Sequence, residues 1–390
     1  MCEEKKEQAL TPEKTKTSYK DIVLTALFCV FIGVLMVLVF ALPKRSYSPN
    51  EKRMLASAPK LTAEDLFSGE FGKDVETFLS DQFAGRDFFV GLNAYYDLCS
   101  GRNGANGIYK GSDDYLIAKP VQLDEENLSK NLTKINAFAE NSSIPVHMMV
   151  VPTTGYIMDD KLPPVHDAYH DGDILSLVRE TLVSDIGWID LEGPFLARKD
   201  DYQLYYKTDH HWTSRGAYTA YLEFCGAMGL QAVPESDFRA ETYGGFRGTS
   251  YSKSALWLSK PDDIELWKDD SLQNIHVSIT DNNNVESDSF FFPDHLEEAD
   301  KYPVFLDGNH SLVQITNPDA EGGSLLLIKD SFGHCFAPFA AEHYKEIYMV
   351  DLRYYKRPLT ELIEEKGIDE ALILYGLDNL VNDTNFNWLK

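Results

Sequence analysis

Gly323-Ser-Leu-Leu-Leu-Ile-Lys-Asp-Ser-Phe-Gly333 decides the fold. Residues 324–328 form a short strand-like run, wholly apolar from Leu325 on, and a helical period follows from Phe332 to His343. A strand apolar on both sides is buried on both sides, which belongs to a parallel sheet covered by helices. The same alternation surrounds it. Helices are expected over Leu128–Asn141, Ile174–Val183, Tyr218–Met228 and Thr360–Lys366, and strands over Val146–Val151, Gly187–Leu191, Ile347–Val350 and Ala371–Tyr375. The fold class is α/β, three layers around a mostly parallel sheet. Residues about 231–320 break the rhythm with aromatic and β-branched runs among Gly, Asn, Asp and Ser, and read as a β-rich insertion over one sheet edge.

Ser331 falls where the apolar strand ends and the helix begins. In an α/β sheet that is the carboxyl edge, where sites collect, and a helix N-terminus there favours an oxyanion. An ordinary N-cap is the competing role for such a serine. The densest chemical cluster is Lys207-Thr-Asp-His-His-Trp-Thr213. Asp209 and His211, two apart, share a side of an extended segment, so a carboxylate can hold Nδ1 and leave Nε2 facing a nucleophile, with His210 pointing away. A solvated turn and a metal site on His210 and His211 are the rivals, although no third ligand lies nearby in sequence. Gly248-Thr-Ser-Tyr-Ser252 lacks a preceding strand, and Cys335 reads as core.

Upstream, Ile22–Leu42 holds no charge. As a helix it spans about 30 Å, a bilayer's hydrocarbon thickness, and Phe40-Ala41-Leu42-Pro43 is a poor cleavage site. This gives a tail at 1–21, a transmembrane anchor at 22–42, a juxtamembrane linker at 43–60 and a domain at 61–390. Thr62-Ala-Glu-Asp65 starts a helix, and Gly107–Ile117 reads as a hairpin. Five lysines precede the anchor (Lys5, Lys6, Lys14, Lys16, Lys20) and four basic residues follow it, Lys44, Arg45, Lys52 and Arg53. The tail is therefore expected in the cytoplasm and the large domain outside it. Residues 1–42 sum to zero charge, so the full −26 sits beyond them and argues against a nucleic-acid partner. The cysteines past the anchor, Cys99, Cys225 and Cys335, make no disulfide framework.

Asp209-His-His-Trp212 with Lys329-Asp-Ser-Phe332 resembles the DHHW protein family, which is similar to the alginate O-acetyltransferases of the SGNH-hydrolase superfamily. The resemblance implies an SGNH-hydrolase-like three-layer sandwich with Asp209 as orienting acid, His211 as base and Ser331 as nucleophile. It draws in Leu306-Asp-Gly-Asn309, so that Asn309 joins the Ser331 N–H as oxyanion donor. Asp351-Leu-Arg-Tyr354 and Phe83-Ala-Gly-Arg-Asp87 also look like the family, which makes Arg353, Tyr354 and Arg86 candidates for substrate contact or a structural ion pair. The implied activity is O-acetyl transfer or ester cleavage on a cell-surface polysaccharide, with no cofactor or metal. The implied partner is a polytopic membrane acyltransferase. A non-catalytic glycan-binding protein is the other class, supported by 21 Tyr and 22 Phe; core packing is the ordinary role of such rings.

Overall fold

The computed structural model describes residues 18–280, 284–298 and 300–389. The expected tail up to Thr17, with Cys2, Lys5, Lys6, Lys14 and Lys16, lies outside them. The chain divides into two compact units, one of residues up to Ser48 with Arg53–Phe89, the other of Pro49–Lys52 and Val90 onward.

In the first unit, Ser18 and Asp21 form a capping box at the start of helix α1, Tyr19–Ala41. It is long and apolar enough to cross a membrane. The stretch 43–60, expected as a linker, carries a short antiparallel ribbon, Tyr47–Ser48 against Arg53–Met54. Thr62 caps α2, Ala63–Ser68, by accepting from the Asp65 N–H. Gly69, at φ +81°, ends it in the left-handed region where glycine has no Cβ to clash, and α3, Glu70–Asp81, follows. Helix α4, Arg86–Cys99, begins in this unit.

The second unit opens with antiparallel Ile108–Lys110 and Leu116–Ala118, the expected hairpin. Among its helices are α5 (Glu125–Asn141), α6 (Asp171–Thr181), α7 (Ser214–Met228), α8 (Phe332–Ala340), α9 (Leu359–Lys366) and α10 (Leu377–Asn382). Its longer strands are β1 (Val146–Val151), β2 (Ile186–Ile189), β3 (Phe238–Phe246), β4 (Asp262–Asp269), β5 (His276–Thr280), β6 (Val285–Ser287), β7 (Leu312–Thr316), β8 (Gly322–Lys329), β9 (Tyr344–Val350) and β10 (Glu370–Gly376). Eight of these form one sheet in the order β6-β5-β7-β9-β8-β10-β1-β2. From β9 to β2 the pairing is parallel.

Side chains alternate between two cores, as a period of two requires. Leu325 and Leu327 of β8 join α7 and α8 on one face. Leu326 and Ile328 join α5, α6, α9 and α10 on the other. The layers are therefore helix, sheet, helix. The insertion expected over one edge is instead divided. β3 and β4 make a separate hairpin, while β7 pairs antiparallel with β9 and β5 and β6 continue the sheet beyond it, each antiparallel to its neighbour. That pairing satisfies the backbone groups that β9 would otherwise expose as an open edge.

Candidate active site

β8 lies between β9 and β10, so the chain leaves it on one side and returns on the other. Ligands collect at such switch points, outside the carboxyl ends of the strands. Ser331 stands there, between β8 and α8. Its hydroxyl makes no capping bond to the helix. Asp330 takes that duty, with Oδ1 accepting from the Phe332 N–H at 3.0 Å. Its Oδ2 accepts from the Gly376 N–H at 2.8 Å and the Asn379 amide at 2.7 Å. Burial raises the Asp330 pKa against those bonds. The nucleophile turn is thus tied to the end of β10, and the serine oxygen is left for other partners.

That partner is His211. Its Nε2 lies 2.6 Å from Ser331 Oγ, and its Nδ1 lies 2.5 Å from Asp209 Oδ1. The backbone differs from the extended segment expected. Asp209 Oδ1 also accepts from the His211 N–H at 2.9 Å, and the loop is closed by the Tyr206 N–H donating to the His211 carbonyl at 3.1 Å. An Asx turn, in which the carboxylate binds the backbone two residues on, therefore brings acid and imidazole together. His210 does not point away. Its ring centre is 3.9 Å from that of His211, and its Nδ1 meets Thr249 Oγ1 at 2.7 Å. Tyr302 stacks on the other side of His211 at 3.9 Å and 6°, and its hydroxyl donates to the Ser331 carbonyl at 3.2 Å.

Asp209 is 2% exposed. Burial alone would raise its pKa, but His211 and His210 beside it hold the carboxyl well below the usual range. Its Oδ2 accepts from both the N–H (2.6 Å) and the hydroxyl (3.0 Å) of Thr249. Asp262 fastens the preceding residues, accepting from the N–H groups of Lys207 and Thr208 at 2.9 and 2.7 Å. Oxygen and nitrogen atoms of Asp209, His210 and His211 lie within 4.8 Å of one another. Both Asp209 oxygens and both His211 nitrogens already have protein partners, so a metal would have to displace them.

On the other flank, Leu306, Asp307 and Gly308 all have positive φ, at 57°, 59° and 88°. Asp307 accepts from His295 at 2.6 Å, which pins this strained turn. Asn309 follows it. The Asn309 amide oxygen accepts from Arg353 at 2.9 Å, which turns its NH2 the opposite way. Arg353 also donates to both Asp351 oxygens, at 2.9 and 2.6 Å. Asp351 in turn lies 3.6 Å from Lys329, both side chains 1% exposed. Burial lowers the Lys329 pKa to about 8, with Asp351 opposing. Tyr354 is half exposed beneath the Arg353 guanidinium, 5.6 Å from its ring centre. Arg86 belongs to the other unit, where its Nε lies 3.7 Å from Asp81.

A cleft of about 610 Å³ opens beside the histidine pair. Its walls include His210, Thr249 and Phe332, with Pro152–Thr153 after β1 and Gly376–Leu377 around the end of β10. Thr249, Asp262, Tyr302 and Asp330 are the residues that sequence reasoning missed. Asp330 carried a signal, its place directly before Ser331. Thr249 sits in a Gly-Thr-Ser stretch weighed only as a nucleophile, and Tyr302 had no local sign.

Fold and geometry together define an SGNH-like α/β protein with serine, histidine and aspartate in line at the sheet's switch point. The chain belongs to the DHHW protein family, whose model matches residues 135–350. A probable alginate O-acetylase AlgJ of Pseudomonas syringae pv. tomato is 25% identical over 260 residues, 60% of this chain. The chain matches 63% of that relative's length. Among solved structures, a DHHW family protein from Eubacterium siraeum superposes with a TM-score of 0.63 at 24% identity, over 73% of this chain and 95% of the other. Bacillus cereus PatB1, in a structure with a sulfonyl adduct, gives 0.62 at 19% identity, over 73% and 98%.

Proposed function

We propose that the protein is a membrane-anchored, serine-dependent O-acetyltransferase or acetylesterase acting on a cell-surface polysaccharide. The observation that carries this reading is the continuous hydrogen-bonded line from Ser331 Oγ through His211 to Asp209. In it, His211 takes the Ser331 proton as the oxygen attacks an acetyl carbonyl, and Asp209 holds the imidazole tautomer and stabilises the imidazolium. The Ser331 N–H and the Asn309 amide stabilise the tetrahedral oxyanion. His211 then returns the proton to the leaving oxygen, leaving an acetyl-serine. Transfer to a sugar hydroxyl or to water completes the cycle. The AlgJ relative supports acetyl transfer and a polysaccharide acceptor.

Helix α1 supports a single membrane pass at 22–42, with residues 1–21 in the cytoplasm, a linker at 43–60 and the domain from 61 onward outside. An acetyl donor crossing the membrane calls for a polytopic acyltransferase as partner. Arg353 acts here by orienting Asn309, and Tyr354 stands beside it as a substrate contact. Ser331→Ala in the full chain should lower cleavage of an acetylated chromogenic ester by about 10³-fold or more while leaving the unfolding midpoint unchanged. Persisting activity would sink the serine mechanism. Stoichiometric metal in purified protein, with activity lost on chelation, would favour the second reading on His210 and His211.

A further inference from the structure

The first unit carries a group of exposed and half-exposed apolar side chains. Phe88 is 65% exposed and Leu79 39%, and the Phe88, Phe89 and Phe83 rings form a chain with centres 5.3 and 5.6 Å apart. Exposed rings grouped in this way mark a contact surface. Their position is set by what lies directly after α1. The Arg45 N–H donates to the Gln82 side chain at 3.1 Å, Gln82 donates back to the Arg45 carbonyl at 2.9 Å, and the Arg45 guanidinium pairs with Asp87 at 3.0 Å. The Lys44 ammonium sits 5.9 Å from the Phe40 ring centre of α1 and 5.6 Å from that of Phe78 in α3, and it donates to the Val39 carbonyl. Val39 is buried while most of α1 is bare.

Arg45 is four residues past the last residue of α1, so it stands within about 14 Å of that end. The polar layer of a bilayer and the adjoining chains occupy that depth, and amphipathic surfaces sink about 5–10 Å into it. Phe88 directly follows Asp87, and Leu79 directly follows Phe78. We propose that Leu79, Phe83, Phe88 and Phe89 form a second membrane contact, embedded in the headgroup layer of the bilayer that α1 crosses. The contact is apolar in kind, since Arg45 and Arg53 beside it are internally paired, with Asp87 and Asp81. It limits how freely the first unit can leave the surface. The inference rests on the anchor reading of α1.

The test uses the full chain in phosphatidylcholine vesicles, plain or brominated in the acyl chains, with flotation measured first. Phe88→Trp adds emission at the proposed contact, and Val165→Trp, at a position 71% exposed in the other unit, serves as comparison. The emission added at 88 should be lost in brominated vesicles and kept at 165, and high salt should not restore it. Flotation without quenching at 88 overturns the second contact while the anchor stands, a result expected if a protein partner covers these rings. Quenching abolished by salt overturns its apolar nature. Failure to float overturns the anchor, and the contact with it.

Discussion

At the residue scale, the arrangement depends on close approaches that leave no spare volume. Gly248 is the sharpest case. A Cβ there would lie 2.1 Å from Asp209 Cβ and 2.2 Å from its Oδ2. The conformation is not the reason, since φ is −84°. The reason is that the 248–249 backbone must reach the buried carboxylate, where Thr249 donates twice. Gly248→Ala therefore has to push Asp209 away, and His211 moves with it. The expected result is a fall in kcat of about 10²-fold, as a displacement near 1 Å produces, with about 1–3 kcal/mol of lost stability. Gly226 supplies the control, because nothing lies within 4 Å of a Cβ added there. Gly226→Ala sits in α7 and should leave kcat unchanged and add about 0.5–1 kcal/mol to stability. Steady-state kinetics beside urea unfolding of the three proteins check both. Equal kcat in wild type and Gly248→Ala would show that the carboxylate's position is not critical.

At the scale of elements, the turn 306–308 needs continuous support, because left-handed Leu306 and Asp307 each cost about 1–2 kcal/mol. His295 supplies it, with Nε2 on Asp307 at 2.6 Å and Nδ1 on Glu298 at 3.0 Å; His310 lies 3.7 Å from the same Asp307. Burial pulls the His295 pKa down, but the two carboxylates more than offset it and leave it above the ordinary value. A raised folded pKa means that the imidazolium stabilises the fold fully below the unfolded value, about 6.5, and that this contribution disappears as pH rises through the folded value. His295→Gln should thus cost about 1–3 kcal/mol at pH 6 and little at pH 9, with amide exchange at 304–309 faster in the variant only at the lower pH. A penalty independent of pH would remove the charged histidine from the explanation. These long-range supports were illegible in the sequence for a physical reason. Tyr302 and Thr249 reach the catalytic loops across 29 and 40 residues, and such pairings leave no local period. The parallel strands were legible because burial on both faces makes them apolar throughout. Asp209 and His211 meet through a backbone other than the extended one expected, because a side chain binding its own turn overrode that form. Helix α8 stops at Ala340 instead of reaching His343, with Pro338 already inside it.

At the scale of the whole molecule, charge sets a condition on the acceptor. The net −26 lies entirely beyond residue 42, in the part proposed to meet the polysaccharide. The cleft runs against that background, since Lys119 and Lys253 line it with one carboxylate, Asp378. Two fields therefore compete, a long-range repulsion of anionic polymers and a short-range attraction within the cleft. Salt separates them by distance. At about 0.01 M the screening length is about 30 Å and the whole domain is felt, whereas at 0.15 M it is about 8 Å and the cleft's own charges remain. A polyanionic acceptor should thus show a KM that falls as salt rises from about 0.01 to 0.15 M. A neutral glycan of equal length should show a flat KM over that range. Acetyl transfer measured on both polymers at fixed pH makes the comparison. If the polyanion's KM rises instead, the local lysines dominate at every distance and the domain's acidity has no part in selecting its substrate. A falling KM would place the choice of acceptor in the charge of the entire domain as well as in the residues around Ser331.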